Sequence, residues 1–192
     1  MSAPAPRAVL VRHAETEWTL SGQHTGRTDL PLTEHGREAA RALAPRLAAY
    51  GFALVLVSPL RRARETFELS GLAAPAQERE ELCEWDYGDY EGLTSVEIDA
   101  RRPGWDLWRD GCPRGEDAAA VGARADRIVA ELKAARGPVA VFSHGHMLRV
   151  LGARWAELAP AQGARLLLST ASVSELGSEH GTPALLSWNA AA

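Results

Sequence analysis

Three short stretches of this sequence place charged or nucleophilic side chains directly after an apolar run. Ala8-Val9-Leu10-Val11 is followed by Arg12 and His13. Ala53-Leu54-Val55-Leu56-Val57 leads into Ser58-Pro59-Leu60-Arg61-Arg62, and Val139-Ala140-Val141-Phe142 into Ser143-His144-Gly145-His146. Arginine presents a planar fork of donors suited to phosphate, and neutral imidazole is a nucleophile near physiological pH. Two histidines and at least two arginines brought to one point could bind an anionic phosphoryl group and attack it.

Each apolar run reads as a strand buried on both faces, followed by a turn and the start of a helix. In open α/β sheets ligands bind beyond the carboxyl ends of the strands, and helix N-termini add free N–H groups that favour anions. Around these strands, Glu15 to Leu32 is rich in Thr, Gly and Asp and reads as a loop. Thr33 is expected to cap a helix carrying Ala40, Leu43, Ala44 and Leu47 on one side, bent or split at Pro45 and closed by Gly51. A helix from about Pro59 to Leu69 follows the second strand, and Leu72 to Glu80 is expected to hold a short connecting strand. Gly115-Glu116-Asp117 opens a long helix through Arg136, with Val121, Ala125, Ile128, Val129 and Leu132 near helical spacing, and another helix runs from His146 to Ala156. Leu166-Leu167-Leu168 and Ser172-Val173-Ser174-Glu175-Leu176 read as strands. Ala184-Leu185-Leu186-Ser187-Trp188 pairs with the second of these across Gly181-Thr182-Pro183, as an antiparallel edge. The expected fold class is α/β, with three α/β/α layers around a mostly parallel central sheet. Leu82 to Arg114 lacks clean periodicity and carries Trp85, Tyr87, Tyr90, Trp105 and Trp108 among many charges. Two readings fit it, a peripheral subdomain with its own aromatic cluster and a cover that excludes water and shapes a substrate pocket, and the two are compatible.

The motifs, in their order, resemble the histidine phosphatase superfamily, which includes the cofactor-dependent phosphoglycerate mutases. The resemblance rests on Leu10-Val11-Arg12-His13-Ala14-Glu15-Thr16-Glu17-Trp18 and Thr25-Gly26-Arg27-Thr28-Asp29-Leu30-Pro31-Leu32-Thr33. It continues through Ser58-Pro59-Leu60-Arg61-Arg62-Ala63, Leu82-Cys83-Glu84-Trp85-Asp86-Tyr87-Gly88 and Ser143-His144-Gly145-His146. It covers the chain from about residue 8 to the end, with Ala14 standing where glycine is commoner. It implies a phosphoglycerate mutase-like fold and a catalytic set. His13 is the nucleophile that forms a phosphohistidine, while Arg12, Arg62 and a charged or donating His144 neutralise the phosphoryl group. Glu84 is the acid that protonates the leaving group and then the base toward water; Asp86 is the next candidate for that role. The nitrogen of His13 that does not attack should donate to a backbone carbonyl. The same resemblance suggests substrate contacts at Thr19, His24, Thr25, Gly26, Ser58, Tyr87, Gly145 and Arg149. His146 is expected to pack within its helix or support the site from behind. His35 and His180 read as surface residues, and Arg61 and Arg64 face solvent or pair with Glu65 and Glu68.

The 192 residues are expected to form one domain spanning 1–192, with a cover region at about 82–114. A net charge of −4 gives no basic excess for nucleic acid. No apolar run is long enough to span a bilayer, and Met1-Ser2-Ala3-Pro4-Ala5-Pro6 lacks the apolar core of a signal peptide. Cys83 and Cys112 are isolated thiols, which fits a reduced cytoplasmic setting better than a disulfide framework or a metal site. No G-x-S-x-G, Walker-type or dinucleotide-binding glycine motif is present, and His13 and His144 are not flanked by the Asp and His ligands of a two-metal phosphatase. The expected activity is metal-independent hydrolysis of small phosphate monoesters, with no cofactor, by a monomer or homodimer. The segment Glu84–Thr94, together with Trp108–Cys112, is similar to broad-specificity bacterial acid phosphatases and to sugar bisphosphatases. The alternative is a 2,3-bisphosphoglycerate-dependent phosphoglycerate mutase, for which Arg101, Arg102, Arg109 and Arg114 offer room for a second anion. A bisphosphate substrate could use the same room. A non-enzymatic binder of phosphorylated ligands is disfavoured, because every catalytic position is filled.

Overall fold

The first apolar run forms strand β1 (Ala8–Arg12) in the computed structural model, which describes residues 7–191. The signal-peptide reading of residues 1–6 lies outside the described residues. The expected loop after β1 contains a short helix, α1 (Glu17–Ser21). Its cause is a reciprocal cap: the Thr16 side chain accepts from the Thr19 amide while the Thr19 hydroxyl accepts from the Thr16 amide. The next helix is split as expected, into α2 (Glu34–Ala42), capped by Thr33, and α3 (Ala44–Ala48). Pro45 falls in the first turn of α3, where a missing N–H removes no helical hydrogen bond.

Strand β2 (Leu54–Val57), helix α4 (Arg61–Leu69) and the short strand β3 (Ala76–Glu78) follow. The aperiodic region holds single 3₁₀ turns at Glu80–Leu82 and Gly88–Tyr90 and two small helices, α5 (Ser95–Arg101) and α6 (Leu107–Asp110). Asp117 then caps the long helix α7 (Ala118–Ala134), which leads to β4 (Val139–Ser143) and α8 (Gly145–Trp155). The chain ends in the antiparallel pair β5 (Val173–Glu179) and β6 (Thr182–Ala190).

Two expectations fail here. Leu166–Leu168 is not a strand, because side chains rather than a neighbouring strand take its backbone groups. Trp188 Nε1 donates to the Leu167 carbonyl at 2.7 Å, Arg12 Nη1 donates to that of Leu168, and the Ser169 amide donates to Asn189 Oδ1 at 2.7 Å. The hairpin turn is His180-Gly181, both at positive φ (50° and 85°), so Thr182 and Pro183 already belong to β6.

The sheet runs β3-β2-β4-β1-β5-β6, with β3, β2, β4 and β1 mutually parallel. Alternate residues of β1 point to opposite faces. Ala8 and Leu10 join a core with Ile128 and Leu132 of α7 and Met147 and Leu151 of α8. Val9 and Val11 join another with Leu43, Leu47 of α3 and Ala63 of α4. The connections after β1 and β4 therefore depart to opposite sides of the sheet. Such a reversal opens a crevice at the carboxyl ends of those two strands.

Candidate active site

Strand register sets the floor of that crevice. Arg12 pairs with Ser143 across β1 and β4, and Val57 pairs with Phe142 across β2 and β4. The His13 amide donates to the Ser143 carbonyl at 2.9 Å, and the Ser58 amide to that of Phe142 at 2.9 Å. Three strand ends thus bring His13, Ser58 and His144 together, with the His13 and His144 rings 5.2 Å apart.

His13 is buried, and its Nδ1 lies 2.7 Å from the Ala14 carbonyl. Because a carbonyl only accepts, Nδ1 carries the proton and Nε2 keeps its lone pair. Burial first, then the nearby Arg62 and Arg12 guanidiniums, hold the His13 pKa well below its ordinary value, so the ring is neutral. Burial first, then Arg62, His13 and Arg12, hold His144 neutral. Arg62 Nε donates to His144 Nδ1 at 3.0 Å, so His144 carries its proton on Nε2, 2.7 Å from Ser58 Oγ. Of the two states expected for His144, the structure favours the neutral donor.

Arg62 is buried and Arg12 half-buried, and the two differ in their partners. Arg62 is fully buried, and four of its five N–H groups are taken: by His144 and by the carbonyls of Thr25, Gly26 and Thr28, each at 3.0 Å. The amides of Gly26 and Thr28 donate in turn to the Glu91 carboxylate. Arg62 and Glu91 therefore grip the 25–28 loop from its two sides, and Arg62 stands behind the crevice wall rather than on it. Arg12 lines the crevice; its Nη1 donates to the Leu168 carbonyl, while its Nε is a buried side-chain nitrogen without a partner. Burial lowers the pKa of both guanidiniums, yet arginine stays charged at physiological pH. A Cβ at position 145 would lie 3.3 Å from Arg12 Cζ, so Gly145 lets α8 approach the guanidinium plane closely.

Glu84 also lines the crevice, at its buried inner end. Its Oε1 accepts from the amides of Trp85 (2.9 Å) and Met147 (2.8 Å), and its Oε2 from that of His146 (3.0 Å). The N-terminus of α8, expected to favour a bound anion, is thus occupied by this carboxylate. Arg124 supports it from behind by donating to the carbonyls of Glu81, Cys83 and Glu84 and to the Glu116 carboxylate. Asp86 is turned away, with Oδ1 on the Gly88 amide and Oδ2 3.6 Å from Arg27.

The crevice has a volume of about 610 Å³. Of the expected substrate contacts, Thr19, His24, Thr25, Tyr87, Gly145 and Arg149 line it. Gly26 and Ser58 do not: Gly26 is buried on Glu91, and Ser58 stands behind His144. The Thr19 hydroxyl is spent on the cap of α1. His146 does more than pack: it lines the crevice, and its Nδ1 sits 2.6 Å from Tyr87 Oη. Burial raises the Tyr87 pKa well above its usual value and lowers that of His146, so the phenol donates in this bond. Arg149 is fixed by the carbonyls of Gly163 and Ala164 and lies 4.6 Å over the Trp108 ring. Arg101, Arg102, Arg109 and Arg114 are all exposed and none lines the crevice; Arg102 and Arg109 meet Asp110, and Arg114 meets Asp89. The room they offer for a second anion therefore lies outside the crevice lining. His35 and His180 are exposed as expected, as are Arg61, which pairs with Glu65, and Arg64, whose acidic partner is Glu78. Among the described residues, no three His, Cys, Asp or Glu side chains gather as a metal site, and no helix is long and apolar enough to cross a membrane.

Sequence reasoning missed Arg124, Trp18, Ser95, Asp99, Asp106 and the Leu168 carbonyl. Arg124 left a signal: it falls beside Val121, Ala125 and Ile128 on the buried side of α7, where an unpaired charge would be costly. The others come from loops and short helices that only tertiary packing brings to the crevice.

A mostly parallel sheet whose strand ends hold a neutral histidine beside an incompletely satisfied guanidinium is an arrangement able to bind and attack an anionic group. Comparison with known proteins narrows that chemistry. The family model for the histidine phosphatase superfamily (branch 1) matches residues 8–191, and the chain belongs to that superfamily. It is 42% identical over 180 residues to an acid phosphatase of Mycobacterium tuberculosis, covering 91% of this chain and 88% of the relative. It is 35% identical over 188 residues to the sedoheptulose 1,7-bisphosphatase of Saccharomyces cerevisiae, covering 81% and 69%. The solved structure of a Mycobacterium tuberculosis open reading frame product superposes with a TM-score of 0.90 at 39% identity, covering 96% of this chain and 97% of that one.

Proposed function

We propose that this protein is a metal-independent phosphomonoester hydrolase that works through a phosphohistidine on His13 Nε2. One observation carries the reading: the Ala14 carbonyl holds the Nδ1 proton of a neutral His13, leaving Nε2 free in the same crevice as the unpartnered Nε of Arg12. Arg12 receives the phosphate charge and orients phosphorus toward Nε2, with Arg62 and the His144 it holds adding positive charge and polarity from behind the wall. Nε2 attacks, the phosphorus–nitrogen bond forms and the bond to the leaving oxygen breaks. Glu84 gives that oxygen its proton; Oε2, with one backbone bond against two on Oε1, is the oxygen with spare capacity. Water then attacks the phosphohistidine, Glu84 accepts its proton, the phosphorus–nitrogen bond breaks and phosphate leaves. Thr25, Tyr87, His24 and Arg149 border the path of the ester. The phosphatase names of the relatives support hydrolysis, and the exposed, acid-paired arginines of the cover give the mutase alternative less support. The chain acts as one domain with residues 82–114 as its cover, and its two free, buried cysteines suit a reduced cytoplasmic setting. The test is turnover of a panel of phosphate monoesters after exhaustive chelation. Full activity is expected in the wild type and none in His13→Ala; activity restored only by zinc or magnesium would overturn the metal-independent reading.

A further inference from the structure

The crevice is electrically lopsided. Its two arginines, Arg12 and Arg149, both lie within electrostatic reach of Glu84 and of each other, at the inner end. Among the side chains lining the mouth the charged ones are Asp99 and Asp106, both exposed and neither ion-paired; Arg102 and Arg109 are bound to Asp110 and Arg114 to Asp89, with Arg109 also within electrostatic reach of Asp106. Ser95 and Asp99 are one turn apart on α5 and both face the opening, and the indoles of Trp18 and Trp105 supply flat apolar walls beside them. Each carboxylate has an oxygen to spare. Asp99 uses Oδ1 for the Gly104 amide, and Asp106 uses Oδ1 for the amides of Trp108 and Arg109.

A substrate long enough to reach this mouth lies with its phosphate on Arg12, whose buried Nε lacks a partner, and its other end between two carboxylates and two indoles. Carboxylates and a serine hydroxyl accept and donate well to hydroxyl groups, and indole faces cover the C–H faces of a sugar ring. A second phosphate at the same place would meet two like charges, and the cation within reach of Asp106, Arg109, is already held by both oxygens of Asp110. Resting on the phosphatase reading above, we infer that the cover selects hydroxyl-rich, singly phosphorylated esters, such as sugar monophosphates, and rejects substrates with a second anionic group at the far end. Asp99 and Asp106 are the residues that make this choice, which separates this chain from the bisphosphatase among its relatives.

The test compares kcat/KM for a hexose 6-phosphate and the 1,6-bisphosphate of the same hexose, in one enzyme preparation so that any loss of folded protein cancels. The wild type should prefer the monophosphate by about tenfold or more at low salt, narrowing at high salt as the carboxylates are screened. Asp99→Asn with Asp106→Asn keeps the backbone hydrogen bonds of both side chains but removes their charges, and should bring the ratio within about threefold. Equal kcat/KM values in the wild type, or a ratio that the double variant leaves unchanged, would overturn the inference while leaving the phosphatase reading standing. If neither sugar ester nor an aryl phosphate is hydrolysed, it is the phosphatase reading that fails.

Discussion

The floor of the crevice and its cover are built on different terms. On the floor the polar groups are held in place: Arg62 by four acceptors, Glu84 by three backbone amides, and the His13 and His144 imidazoles by partners that fix their tautomers, with the Nε of Arg12 left without one. In the cover, Ser95, Asp99 and Asp106 are exposed on two short helices and keep unsatisfied capacity toward the opening. The difference teaches where each task resides. Charge stabilisation at a transition state needs donors that do not reorganise, so it belongs on strand ends inside the core. Choice among leaving groups needs side chains that can be exchanged without unfolding anything, so it belongs in the cover.

The sharpest way to break this division is through Glu84, which belongs to the floor by burial but to the leaving group by role. Glu84→Gln should slow esters of poor leaving groups by roughly two to four orders of magnitude, while an activated aryl phosphate, which scarcely needs the proton, loses much less in the first step. Single-turnover rates are needed, because loss of the base in the second step masks the contrast at steady state. Equal losses for both esters would place the acid elsewhere.

A smaller effect separates the two arginines. Arg62→Ala strands His144 and three loop carbonyls, and breaking such a buried charged network costs about 3–5 kcal/mol. Arg12→Ala gives up one carbonyl contact and should cost much less stability while still cutting kcat/KM severely. Denaturant melts and kinetics on the two variants check this; equal stability losses would mean that Arg62 does not grip the 25–28 loop as described.

The least abrupt effect is on pH. His13, His144 and His146 are all held neutral, chiefly by burial. Below about pH 6.5 the unfolded chain takes up protons that the folded chain refuses, so the unfolded state is favoured as pH falls. Stability should be full above that pH and should decline by up to about 1.4 kcal/mol per pH unit for each histidine below it. Thermal melts between pH 7.5 and about pH 5 measure the slope. A flat profile would contradict neutral imidazoles at buried His13 and His144 and half-buried His146.

The sequence made the floor legible because local rules govern it. Apolar runs end in Arg12, Ser58 and His144, and strand pairing alone brings those ends level. It did not show that Arg62 faces inward to the 25–28 carbonyls, because any residue in the first turn of α4 could point either way until the loop is placed. Nor did it show that the 166–169 segment is held by Trp188, Arg12 and Asn189 instead of a strand, since all three partners are twenty or more residues away. The mouth was the least legible part. Asp99 and Asp106 look like ordinary surface acids in a region without periodicity, and only the packing of α5 and α6 around Trp105 gives them a common opening.

The central claim is that His13 Nε2 carries the phosphoryl group, and rapid quenching of a single turnover with ³²P-labelled ester tests it most directly. The account predicts an acid-labile, base-stable phosphoenzyme whose label maps to the peptide containing His13 and is absent from His13→Ala. Label on a serine or on His144, or turnover with no covalent label in enzyme whose hydrolysis step has been slowed by Glu84→Gln, would contradict it.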